Sequence, residues 1–219
     1  MPNTGSSGVA QDPGSHGPRF CGTRRSVLHW GRDYPAIFFG LALLAQAPSL
    51  LAQGLPASAQ VPLILKVLTY DRQFVAKASP EVKIGIVYSP VDPESAKATS
   101  AITEILNKFS GKTVKKLPIK YWTIEYVSPA RLEAVVKERG INVIYVSPGN
   151  DKNLAAIVRL SQASKITTTT GVPDYVRSGI AVGIGSRRGK PQILINLEAA
   201  KSEGSEFEAS LLRIATVVR

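Results

Sequence analysis

VKIGIVYSP, Val82 to Pro90, decides the fold. The run is rich in β-branched residues, apolar on both faces, and ends in a Ser-Pro turn signal. A strand with one wet face alternates apolar with polar residues, so this run reads as a strand buried inside a parallel sheet. Asp92 then caps a helix with Pro93 in its first turn and a body running to about Phe109, with Gly111 placed to end it. The pattern repeats. Ile119 to Tyr126 is a second strand, Ser128 and Pro129 open a second helix that Gly140 stops, and Ile141 to Ser147 (INVIYVS) is a third strand ending again in Ser-Pro. Two such βαβ units predict a three-layer α/β fold, a mostly parallel sheet with helices on both faces.

Working outward from these units, PGNDKN leads into Leu154 to Ala163, whose apolar residues fall at helical spacing, with Asn150 or Asp151 as cap. Lys165 to Thr170 (KITTTT) is a fourth strand, closed by a turn at Gly171-Val172-Pro173. Gly179 to Gly185 (GIAVGIG) and Gln192 to Leu197 (QILINL) flank SRRGKP, whose Gly and Pro suit an antiparallel hairpin at one edge of the sheet. Asn196 precedes a short helix that Gly204 interrupts, and Phe207 to Val218 reads as a closing amphipathic helix. Upstream, Val61 to Ala78 reads as one helix, with Pro62 in its first turn and Leu63, Ile64, Val67 and Leu68 as its apolar stripe. Asp71 and Arg72 fall on its solvated side.

The first sixty residues differ in kind. They are Gly-, Ser- and Pro-rich, then give way to an apolar block, Pro35 to Leu55, with four arginines ahead of it and Ala57-Ser58-Ala59 behind it. That is the layout of a cleaved leader, and it predicts an exported, periplasmic chain: residues 1–59 leader, residues 60–219 a single α/β domain. The continuous apolar core, Ala36 to Ala47, falls short of the roughly twenty residues of a membrane span. Thr23-Arg24-Arg25-Ser26-Val27-Leu28 resembles a twin-arginine export signal. A start codon at Val27 instead would leave an ordinary leader and place Cys21 outside the protein.

The residues beyond 59 exclude a good deal. Both histidines (His16, His29) and Cys21 precede that point. The domain therefore lacks the usual general base, thiol nucleophile and zinc ligands, so no catalytic or metal residue, no cofactor and no enzyme activity is predicted. The whole chain carries 27 Lys and Arg against 16 Asp and Glu, net +11, and residues 60–219 keep 23 against 14, net +9. In an exported protein such a charge points to anionic surfaces or an acidic partner rather than to nucleic acid. Lys112, Lys115, Lys116 and Lys120 form its densest group, read as a solvated connection.

The carboxyl ends of parallel strands and the helix N-termini beside them form the crevice where open α/β sheets bind ligands. Here those ends are Ser89, Ser147 with Gly149 and Asn150, and Thr170, the expected contacts for a small polar or anionic molecule. Arg187 and Arg188, at the hairpin tip, are the expected anion-binding pair.

The last forty residues carry a resemblance. GIAVGIGSRRGKPQILINLEAAKSEGSEFEASLLRIA, with Ile195-Asn196, Ala199-Ala200, Gly204 and Leu211-Leu212, resembles the C-terminal half of the YfiR-type periplasmic family, and the first helix with Lys66 and Phe74 is similar too. The chain departs from that pattern in having Ser79-Pro80 in place of a Trp-Pro and no cysteine for disulfides. The resemblance implies a non-enzymatic regulator that restrains an inner-membrane signalling enzyme, typically a diguanylate cyclase, by binding its periplasmic part; a homodimer is left open. IGIVYSPVDPESAKATSAITEIL and the SPGN loop also resemble one lobe of a periplasmic ABC-transporter substrate-binding protein, which implies solute binding as the alternative. Such proteins close two lobes on a ligand, and this chain has the length of one.

Overall fold

The computed structural model describes residues 54–218; the apolar block up to Gln53, the Arg24-Arg25 pair and Cys21 lie outside the described residues. Besides a short 3₁₀ turn at Asp151–Asn153, the elements are α1 (Ala57–Leu68), α2 (Phe74–Ala78), β1 (Val82–Tyr88), α3 (Pro93–Lys108), β2 (Thr113–Val114), β3 (Leu117–Glu125), α4 (Pro129–Arg139), β4 (Val143–Val146), α5 (Leu154–Ser164), β5 (Thr167–Thr170), α6 (Pro173–Arg177), β6 (Val182–Arg187), β7 (Lys190–Asn196), α7 (Leu197–Ser202), α8 (Ala209–Leu212) and β8 (Thr216–Val218). One sheet holds these strands in the order β2-β3-β1-β4-β5-β6-β7-β8. From β3 to β6 the neighbours are parallel; β2 and β7 run antiparallel to their inner neighbours.

The fold class expected from the sequence is the one observed, and the reason is visible in β1. Val82, Ile84 and Ile86 enter one apolar cluster with α1, α2 and α3, while Val87 enters the other with Leu132, Val136 and Ile157 of α4 and α5. Val143 and Tyr145 of β4 point to the first cluster, Ile144 and Val146 to the second. A strand that feeds two cores by its period-two alternation has to be apolar throughout. The helix signals also behave as read. The Asp92 carboxylate accepts from the Glu94 and Ser95 amides at 2.8 and 3.1 Å, the Ser128 hydroxyl accepts from the Arg131 amide, and Gly140 closes α4 in the left-handed region at φ 64°.

Other expectations are corrected. The single helix over Val61 to Ala78 is two: α1 stops at Leu68 because Asp71 pairs across the fold with Phe207, and Arg72 N–H donates to the Glu206 carbonyl. The closing helix over Phe207 to Val218 is only α8, a single turn; Thr216–Val218 instead pair in parallel with Leu194–Asn196. The β6–β7 hairpin forms as expected, with Arg188 and Gly189 at positive φ in its two-residue turn, but β8 lies outside it and takes the edge. Asn150 does not cap α5. Lys115-Lys116 are no plain connection either: both have positive φ (48° and 68°) and form the two-residue turn between β2 and β3.

Candidate functional site

The parallel strands β3-β1-β4-β5-β6 make the sheet doubly wound. The α3 crossover leaves β1 toward β3, and the α4 crossover returns past β1 to β4, so chain direction switches between the carboxyl ends of β1 and β4. Ser89 and Ser147 stand at that switch point, the place where such sheets bind ligands. The structure brings Ser89, Ser147, Gly149, Asn150 and Thr170 to this one edge.

Apart from the Ser89 hydroxyl, their side-chain polar groups are used internally. Ser147 is fully buried, its hydroxyl 2.7 Å from the Thr99 hydroxyl of α3. The buried Asn150 side-chain amide donates to the Ser147 carbonyl at 3.0 Å and reaches the Val87 carbonyl, and its oxygen accepts from Asn153. The Thr170 hydroxyl donates to the Val146 carbonyl and accepts from the Val172 amide. Ser89 is also buried, and its backbone amide donates to the Ser95 hydroxyl. The first-turn amides of α3 are occupied by Asp92. Gly149, at φ 77°, lets the loop pass, since a Cβ there would overlap the Asp92 carboxylate. The Asn150 backbone amide donates to the Tyr175 hydroxyl, which in turn donates to Asp151; burial, with Asp151 behind it, pushes that phenol up to about 12. At the switch point, Ser147, Asn150 and Thr170 thus spend their side-chain hydrogen bonds on the protein itself. An open depression of about 320 Å³ lies beside it on the α1/α3 side, touching Gln60, Lys97, Tyr145 and Pro148.

Arg187 and Arg188 end up elsewhere. β6 pairs Gly183 with Thr170, so the strand runs on from the carboxyl edge through Arg187 and carries both exposed arginines out on the hairpin, away from Ser89 and Ser147.

The most polar part of the interior has no counterpart in the sequence pattern. Glu203, just past α7, is fully buried: its carboxylate accepts from the Thr168 amide (2.8 Å), the Thr168 hydroxyl (2.6 Å) and the Ser161 hydroxyl (2.9 Å). Burial holds this carboxyl well above its usual range, at about 7, the bonds from Thr168 and Ser161 working the other way. Lys77 of α2 donates to the Thr167 and Ser205 hydroxyls and to the Glu203 carbonyl, and burial lowers its pKa. Asp71, placed on a wet helix face by its neighbours in sequence, is also fully buried; it accepts the Gln73 and Glu206 amides through one oxygen, and the other finds no partner among the described residues. The hint available in the sequence is compositional, since KITTTT is a strand run whose side chains are mostly hydroxyls. A depression of about 450 Å³ lies over this cluster, lined by Gln73, Leu197, Lys201, Glu206 and Phe207 among others. Among the described residues no set of three or more His, Cys, Asp or Glu is placed to hold a metal, and no helix is long and apolar enough to cross a membrane.

A family model described as YfiR/HmsC-like matches residues 63–216, from the first helix to the last strand. The chain belongs to the YfiR/HmsC-like family. That family is one of periplasmic regulatory proteins without enzymatic activity, whose members generally bind a membrane signalling partner. Among curated proteins, none matches the chain. Among solved structures, a conserved domain protein from Vibrio cholerae is similar with TM-score 0.53, 16% identity, and coverage of 75% of this chain and 60% of that one. The ABC domain from Streptococcus pneumonia, solved in complex with L-Trp, gives TM-score 0.51 and 16% identity over 74% of this chain and 60% of its own. The YfiR/HmsC-like chain thus spans about 60% of the length of these solved chains, and the likeness is one of fold.

Proposed function

We propose that this YfiR/HmsC-like protein is exported to the periplasm and restrains an inner-membrane signalling enzyme, a diguanylate cyclase being the typical case, by binding the part of that enzyme outside the cytoplasm. The observation that carries the reading is the family match over residues 63–216. Two features of the domain agree with it. The switch point uses its side chains for internal hydrogen bonds, as expected of a scaffold that binds through its surface, and the net charge of +9 over residues 60–219 favours an acidic partner.

Deleting the gene is the test. Cyclic-diguanylate level and surface attachment should both rise when the protein is lost and return when it is supplied again; unchanged nucleotide in the deletion strain sinks the reading. Affinity capture from solubilised membranes then names the enzyme. Solute binding, the alternative, makes a different demand. A small polar or anionic molecule would have to raise the melting temperature of the purified domain alone, in proportion to ln(1 + [L]/Kd), and lose that effect on replacement of Arg187 and Arg188 or of the edge residues Ser89, Ser147, Asn150 and Thr170.

A further inference from the structure

The two edges of the sheet are built differently. At one, β8 is three residues long, a short edge of the kind that discourages pairing. At the other, β2 covers only the start of β3, pairing Thr113 with Pro118 and Val114 with Leu117, and the strand then continues from Lys120 to Glu125 with β1 on one side only.

Which backbone groups this leaves open follows from register. Just past β3, the Tyr126 amide donates to the Tyr88 carbonyl of β1, so the even-numbered residues of β3 turn their N–H and C=O toward β1. The odd-numbered residues turn theirs outward, as Leu117 does to meet Val114. Ile119 still belongs to the β2 ladder, because Pro118 has no N–H and its pairing with Thr113 runs through the neighbouring residues, but Tyr121, Thr123 and Glu125 present their N–H and C=O groups outward, where among the described residues no strand pairs with them. The strand is held rigidly for its role. Ile124 is buried in one core, Tyr121 donates its hydroxyl to Asn107 of α3, and the Arg139 guanidinium lies 5.8 Å from the centre of the Trp122 ring.

Charge selects what pairs there. The β2–β3 hairpin brings Lys112, Lys115, Lys116 and Lys120 to the beginning of this open stretch. Lys120 is neutralised by Glu81 at 2.7 Å and Lys115 reaches the Asp71 carbonyl, but Lys112, Lys115 and Lys116 have no ion pair among the described residues. We propose that the outer edge of β3 from Tyr121 to Glu125 is a docking strand, to which an extended acidic segment of a partner protein adds as a further β-strand, main-chain bonds supplying affinity and the lysines selecting for carboxylates. This rests on the proposed function for the partner's identity, the extracytoplasmic part of the membrane enzyme, but its geometry stands apart from that reading.

Photo-crosslinking in living cells tests it. With p-benzoylphenylalanine in place of Thr123, an exposed residue, the full-length protein should crosslink to an acidic stretch of a membrane protein; the same probe at Val217, on the β8 edge, should not. Thr123→Pro removes an outward N–H without touching the β1 ladder and should cut the crosslinked or co-purified complex at least about tenfold, as should the pair Lys112→Glu and Lys116→Glu, while the melting temperature changes little. Crosslinking at Thr123 to a second copy, to residues of the same chain, or to nothing overturns the proposal, as does full complex formation by both variants. If the deletion strain changes its cyclic-diguanylate level but Thr123 crosslinks nothing, the edge is wrong and the regulator reading stands. A crosslink to an acidic segment with no nucleotide change has the opposite meaning: the docking edge holds and the regulator reading falls.

Discussion

At Glu203 a carboxyl is kept out of water and held by the hydroxyls of Ser161 and Thr168 and the charge of Lys77, with Lys165 and Asp71 acting on Lys77 from either side. The side chain keeps its proton to about pH 7 in the folded chain against an ordinary value of 4.5. Its contribution to stability is therefore fully present below about pH 4.5 and is lost as pH rises from there through 7, because the unfolded chain ionises first. Over that window the loss is on the order of 3 kcal/mol. Lys77, whose pKa is lowered, acts with the opposite sign, its cost to stability easing as pH rises toward the ordinary 10.5. Urea unfolding at pH 5 and pH 7.5 should show the wild type weakening over this range and Glu203→Gln nearly flat. The amide can replace the acid because the Ser161 and Thr168 hydroxyls can rotate to accept from its NH2, leaving its oxygen for the Thr168 amide. An equal pH slope in both proteins would show that Glu203 does not titrate in this window.

Among the elements, β6 and α6 show how closely the sheet is covered. A Cβ on Gly183 would overlap a γ-methyl of the fully buried Val176, so the helix rests directly on glycine backbone. Gly183→Ala should cost about 1–3 kcal/mol, and trimming the opposing side chain in Gly183→Ala with Val176→Ala should cost less than the sum of the two single changes. Chemical denaturation of the four proteins measures this coupling; strict additivity would mean that α6 moves aside freely. The sequence could announce β1 and β4, whose residues are chosen by two cores at once, and the caps at Asp92, Ser128 and Gly140, whose causes are local. It could not announce the break after α1 or the strand β8. The first depends on Asp71 accepting the amide of Glu206, 135 residues away, and the second on Thr216, Val217 and Val218 finding β7; neither partner is nearby in sequence. The residues of the carboxyl edge were legible in position but not in role, since Ser, Asn and Thr look the same whether they face a ligand or bond to their own loops.

For the molecule as a whole, the start of the domain has a measurable consequence. We propose that the leader is cut near Gln60, after Ala57-Ser58-Ala59. In the fold those three residues form the first turn of α1, Leu55 is buried at 9% exposure in the core beneath it, and Gln60, which donates to the Leu55 carbonyl, also accepts from the Tyr145 hydroxyl at 2.8 Å. A chain beginning at Gln60 therefore loses a buried leucine, which contributes about 1.5–3 kcal/mol, and one turn of helix, and it sets a new charged N-terminus beside Tyr145. Proteins made to begin at Gly54 and at Gln60 should both fold, with the longer more stable by about 2 kcal/mol in urea. Mass spectrometry of the exported protein's first residue then decides which one the cell makes. An N-terminus at Gln60 would mean that export yields the less stable of the two and leaves the Tyr145 end of α1 open; one at or before Leu55 would move the leader boundary upstream and keep that turn in the domain.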